Sequence, residues 1–169
     1  MTTSVETMTS RNSIILMGDD QKQVVMDSVF AKYSTTIKNL LEDSPEKGTP
    51  IPINISSETL TFVKNFCSFF HLEDTTTTEK KEDSKEQKEQ NEKRNTFLST
   101  LEQEQLFSLI LACNYLDIKC MLDSCCQFVA NMIKGKTPEN IRSMFNIKND
   151  FTPEEEEQLR KENEWVNDS

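Results

Sequence analysis

Residues 106–116 read LFSLILACNYL, a run with apolar side chains on nearly every side of a helical projection. That pattern predicts a helix set inside the molecule, with Thr100 and Gln103 as a capping box ahead of it. Asp117 is placed to cap the next helix, where Ile118, Met121, Leu122, Cys125, Val129 and Ile133 keep a three-and-four rhythm. Gly135 sits where such a helix commonly stops. Two helices of this kind make a helical core that the rest of the chain has to cover.

Moving toward the N-terminus, residues 57–70 carry a stripe of Leu60, Val63, Phe66, Cys67 and Phe70, widened by Phe62 and Phe69. With Ser56 or Ser57 as N-cap this is a mostly buried helix in which phenylalanine supplies much of the core. Before it, Ile51 to Ile55 follows Pro50 and includes Pro52, which suggests a short edge strand. Val29, Phe30, Tyr33, Ile37, Leu40 and Leu41 recur at helical spacing but are interrupted by Ser34, Thr35 and Thr36, so two short helices are expected. Ile14 to Met17 and Val24 to Met26 read as strands of a hairpin joined through Gly18, Asp19 and Asp20.

The chain has 169 residues, about the size of one domain with an appended segment, and is 35% hydrophobic and 28% charged. That lean core implies that some segments are solvated. Residues 73–94 contain no apolar side chain, so a mobile charged loop is expected there between two ordered halves. The formal net charge is −10, and the last twenty residues hold eight acidic and two basic side chains, so the acidity lies mostly in the tail. Such a balance repels phosphate backbones and anionic membranes, which leaves a protein as the expected partner, with no nucleic acid and no membrane.

Cys67, Cys113, Cys120, Cys125 and Cys126 are odd in number and lie in apolar runs, as reduced thiols of an intracellular protein do. The first thirteen residues lack the basic and apolar regions of a signal peptide, and the 106–116 run is too short to span a bilayer. The expected location is the cytoplasm and the nucleus.

Beyond Gly135, Thr137–Pro138 and Thr152–Pro153 repeat one helix-start signal, and Thr152 with Glu155 forms a capping box. These helices hold few apolar anchors, among them Phe145, Ile147, Phe151 and Trp165. They either pack back on the preceding helices or present these side chains to another chain.

Catalytic chemistry finds little to work with. His71 is the one histidine, and Cys67, four residues before it, makes the only thiol and imidazole pair. Packing of Cys67 in the core and a helix-end place for His71 account for both more simply. Cys125 and Cys126 are adjacent and lack zinc spacing, Glu154 to Glu157 point around a helix axis, and three separated glycines make no phosphate loop. No catalytic residue, metal or cofactor is expected.

Two stretches, LACNYLDIKCMLD (111–123) and VANMIKGKTPENIRSMFNIKNDFTPEEEEQLRKENEW (129–165), closely resemble the C-terminal half of the S-phase kinase-associated protein one family. That family supplies the F-box-binding adaptors of cullin-RING ubiquitin ligases. TIKNLLED, PIPIN and the phenylalanine-rich helix follow in the family's order, so the resemblance covers roughly residues 12–168. It implies an α/β (α+β) chain: a flexible leader over 1–11, a BTB/POZ-type core over 12–134 with a small sheet and packed helices, and F-box-binding helices over 135–169. It further implies F-box contact, directly or as the floor beneath it, by Leu106, Phe107, Ile110, Leu122, Val129, Ile133, Phe145, Ile147, Phe151 and Trp165. Asn114 and Tyr115 resemble residues facing the cullin. Pro153 matches a position that protist relatives modify. Cys113 and Cys120 stand where the family has small residues, and the family's Trp-Asp before Phe97 is absent.

The function implied is a non-catalytic adaptor of an SCF-type ligase whose partners are F-box proteins and a cullin scaffold, with a weak homodimer when unliganded. A self-associating BTB-like module outside the ubiquitin system and an enzyme using Cys67 are the competing readings.

Overall fold

A computed structural model describes residues 13–43, 48–76 and 84–163, with the backbone alone described at 71–76 and 84–87. The leader 1–11 and Trp165 lie outside the described residues. Two compact units divide the chain, Met1–Met132 and Ile133–Ser169.

In the first unit, β1 (Ser13–Met17) and β2 (Gln23–Asp27) form the expected antiparallel hairpin, with Leu16 opposite Val24 and Ile14 opposite Met26. Alternation buries these four side chains on one face and leaves Gln23, Val25 and Asp27 outward. The turn closes through Gly18 N–H to the Lys22 carbonyl at 2.9 Å. Only glycine fits at position 18, since a Cβ there would lie 2.7 Å from Asp20 Oδ1, 2.8 Å from Ser57 N and 2.9 Å from the Ile55 carbonyl. β3 is shorter than the expected 51–55, only Ile51–Pro52; beyond it the chain keeps two isolated main-chain bonds, Ile53 N–H to the Met17 carbonyl at 2.8 Å and Asp19 N–H to the Ile55 carbonyl at 3.2 Å. The strand pairs parallel with β1, giving the order β2-β1-β3 and the expected edge position.

The two short helices after the hairpin are a 3-10 turn, Ser28–Lys32, and α1, Thr35–Asp43. Ser34 begins α1: its carbonyl accepts from Lys38 N and its hydroxyl accepts from Ile37 N. α2 (Ser57–Thr76) starts where Ser56 Oγ accepts from Thr59 N at 3.2 Å, and all five stripe residues are buried. Asp20 Oδ2 also accepts from the Ser57 hydroxyl at 2.6 Å, fixing the hairpin turn to the start of this helix.

The loop expected over 73–94 is instead helical at both ends. Residues 73–76 finish α2, α3 spans Ser84–Ser99, and 77–83 lie outside the described residues. Lysine, glutamate and glutamine are good helix formers and need no apolar face when one side is solvated. Glu89 and Lys93 pair at 2.8 Å, one turn apart. Arg94, the last charge of that segment, is buried with its guanidinium 4.0 Å from the centre of the Phe70 ring. Phe97 stacks on Phe66 at 5.6 Å, so the end of α3 docks on α2 through the phenylalanine cluster.

α4 (Gln103–Tyr115) is capped by Glu102 and not by Thr100: the Glu102 N–H donates to Gln105 Oε1 at 3.0 Å, while Thr100 Oγ1 turns back to the Phe97 carbonyl. α5 (Lys119–Ile133) follows after a tight reversal. Asp117, expected to cap α5, takes a left-handed conformation (φ 52°) that ends α4, and the Ile118 carbonyl accepts the first bond of α5 from Leu122 N.

In the second unit, α6 (Pro138–Met144) and α7 (Pro153–Glu162) start at the expected threonine caps. Gly135 (φ 73°) lies just past α5 in the left-handed conformation that glycine adopts freely.

Candidate functional site

The reversal between α4 and α5 holds the segment NYLDI. The Ile118 N–H reaches the Cys113 carbonyl at 2.9 Å and the Asp117 N–H reaches the Asn114 carbonyl at 3.1 Å, the paired bonds of a Schellman helix end. From the other side, the buried Ser34 hydroxyl donates to the Leu116 carbonyl at 2.6 Å and Thr36 Oγ1 donates to the Tyr115 carbonyl at 3.1 Å. The start of α1 therefore clamps the end of α4. Asn114 and Tyr115 are exposed on a backbone fixed from both sides.

α4 departs from the expected internal helix. Leu106, Leu109, Ala112, Cys113 and Leu116 are buried, but Phe107, Leu111 and Tyr115 are 40%, 69% and 49% exposed. These three stand one turn apart on one face, two turns end to end. The exposed row thus joins Phe107, a candidate for F-box contact, to Tyr115, a candidate for cullin contact. Leu111 between them was missed in the sequence; its four-residue spacing from both was the available signal. Ile110 beside the row and Leu122, Val129 and Ile133 on α5 are half-buried, while Leu106 lies beneath the surface.

The second unit has its own candidate surface. After Phe145, Asn146 is left-handed (φ 51°) and the Ile147 N–H returns to the Arg142 carbonyl at 2.8 Å, the same helix ending as in α4. Thr152 Oγ1 accepts from Glu155 N at 3.3 Å and Glu155 Oε2 accepts from Thr152 N at 2.8 Å, the expected capping box. Glu156 Oε1 then accepts from Arg142 at 2.9 Å and from Asn149 Nδ2 at 2.8 Å, tying α7 to α6. No residue of either helix is buried. Ile147, Phe151 and Leu159 are exposed, and Phe145 is half-buried. The polar bonds set the shape and leave Ile147, Phe151 and Leu159 outside. Pro153 is exposed at the first position of α7.

The enzyme reading turns on Cys67, which lies buried in α2. Burial pushes its thiol up to about 12, away from the thiolate that a nucleophile needs, and the His71 side chain lies outside the described residues. A hydrogen bond to Cys125, and then burial, also hold the Cys113 thiol well above its ordinary value. Among the described residues no three His, Cys, Asp or Glu side chains gather as metal ligands, and no helix is long and apolar enough to cross a membrane.

Residues 12–72 match the family described as Skp1 family, tetramerisation domain, and residues 119–166 match Skp1 family, dimerisation domain. The chain is 48% identical over 161 residues to the SCF ubiquitin ligase complex protein SKP1a of Dictyostelium discoideum, covering 90% of this chain and 94% of the relative. It is 46% identical over 160 residues to suppressor of kinetochore protein 1 of Schizosaccharomyces pombe, covering 93% and 99%. It is also 46% identical over 156 residues to the E3 ubiquitin ligase complex SCF subunit sconC of Talaromyces stipitatus, covering 92% and 97%.

Proposed function

This chain belongs to the Skp1 family, and from that membership we infer that it is an adaptor of an SCF-type ubiquitin ligase, bridging a cullin to F-box substrate receptors. The observation that carries this reading is near full-length similarity to relatives named as subunits of that complex. An adaptor makes and breaks no bonds. It raises the effective concentration of a bound substrate near the ubiquitin-loaded enzyme, so its chemistry is that of its surfaces.

The cullin side is assigned to Asn114 and Tyr115, which the Ser34 and Thr36 clamp presents on a fixed backbone. The F-box side is assigned to Phe107, Ile110, Leu122, Val129, Ile133, Phe145, Ile147, Phe151 and Trp165, with Leu106 as floor. Exposed Ile147 and Phe151 between α6 and α7, and Leu159 on α7, beside helices with no buried residue of their own, support a tail that gains its core from a partner. The same apolar surface would carry a weak homodimer when no F-box protein is bound. Cysteines set in apolar helices support a cytoplasmic and nuclear location. Modification at Pro153, exposed at a helix start, adds mass to the native protein that Pro153→Ala removes.

Asn114→Lys with Tyr115→Lys tests the division of surfaces. Cullin capture is abolished and F-box capture is retained if the assignment holds. Loss of both with an unchanged unfolding transition contradicts it.

A further inference from the structure

The two edges of the sheet differ. The β3 edge is two residues long and ends in Pro52, which cannot donate to a further strand. The β2 edge is five residues without proline, held in regular register by β1, with Val25 exposed on its outward face. At the C-terminal end of β2 a cleft of about 210 Å³ opens between that strand and α2. Buried Met26, Phe30 and Cys67 form its apolar floor, and exposed Lys64, Asn65 and Ser68 of α2 stand at its mouth.

A strand laid along β2 would send every second side chain toward α2, beside Met26 and into this cleft. The cleft is therefore the core position of a fourth strand that the described residues do not provide. Its volume suits one large apolar side chain and falls below the roughly 300–1,000 Å³ of small-molecule sites. At the mouth, Lys64 carries a positive charge, while the rim carboxylate of Asp27 already accepts from Val29 N at 2.9 Å.

We propose that the β2 edge and this cleft form a docking site for an extended segment of a partner protein, which adds a strand to the sheet, seats one large apolar side chain in the cleft and sets an adjacent acidic residue against Lys64. Main-chain bonds to the edge would hold the segment, and the cleft would select its sequence. The site shares no residue with the exposed row of α4 or with α6 and α7, so it is independent of the adaptor assignment.

The probe is an acetylated seven-residue peptide of alternating threonine and valine with a central phenylalanine followed by glutamate, titrated into the isotope-labelled full chain. Saturable amide shifts are expected at residues 23–27, 30 and 64–68. Val25→Lys, which charges the edge, and Ser68→Phe, which fills the cleft from an exposed position, should each weaken binding by at least about tenfold. Both variants should keep the wild-type urea midpoint and F-box capture. Absence of saturable shifts, or shifts unchanged in both variants, overturns the proposal. So does binding that arises only after residues 1–11 are removed, which would give the site to the chain's own leader.

Discussion

Ser34→Ala removes two hydrogen bonds made by one hydroxyl. The first caps α1 by accepting from Ile37 N at 3.1 Å, and loss of such a cap costs about 0.5–2 kcal/mol. The second reaches the Leu116 carbonyl at 2.6 Å from a fully buried side chain. Leaving a buried acceptor without its donor costs about 1–3 kcal/mol. The two losses share an atom and need not add, so the total expected is about 2–4 kcal/mol. At about 2–4 °C per kcal/mol for a chain of this length, the unfolding midpoint falls by roughly 5–15 °C. Thr36→Val is the matched control, because its bond to the Tyr115 carbonyl is exposed and should cost about 0.5–1 kcal/mol. Urea unfolding of both variants, with unchanged m-values, measures the difference. Cullin capture by Ser34→Ala should also weaken under conditions where it is folded, because the end of α4 is no longer clamped. A cost for Ser34→Ala no greater than for Thr36→Val refutes the reasoning.

Gly18→Ala places a Cβ against two backbone atoms and should destabilise by about 1–3 kcal/mol, read from the urea midpoint. The Ser57 hydroxyl and N–H, with Lys22, hold the Asp20 carboxyl down at about 2. Its folded value lies below its unfolded one, so its contribution is complete above about pH 4 and is lost as pH falls through about 2; the acid limb of the stability profile should flatten in Asp20→Asn. Iodoacetamide at pH 8 should label exposed Cys126 well before buried Cys67, as peptide mass spectrometry of a time course would record. Phe145→Ala and Trp165→Ala should each weaken F-box binding by about 2 kcal/mol or more in calorimetry, and equal affinity in both would remove the F-box assignment.

What could be read from the sequence was local. Alternation over 13–27, the α2 stripe and the two threonine-proline starts each place a pattern and its punctuation within a few residues. The course of 84–94 was hidden because a solvated helix of lysine, glutamate and glutamine has no apolar period, and because the Arg94 contact depends on Phe70. A helix that is apolar all round carries no polar face to mark its exposed side, so the four-residue spacing of Phe107, Leu111 and Tyr115 shows that they share a face and leaves open whether that face is the exposed one. The clamp on Leu116 comes from a serine 82 residues earlier, beyond the reach of any spacing rule. The left-handed ends at Asp117 and Asn146 were unmarked because neither is glycine.

The central claim is that one chain holds a cullin and an F-box protein at the same time. Light scattering on a mixture of this protein, an F-box domain and the N-terminal region of a cullin measures it most directly. The account predicts a single species with the mass of one copy of each. Separate binary complexes whose partners displace one another, or a homo-oligomer that ignores both partners, would contradict it.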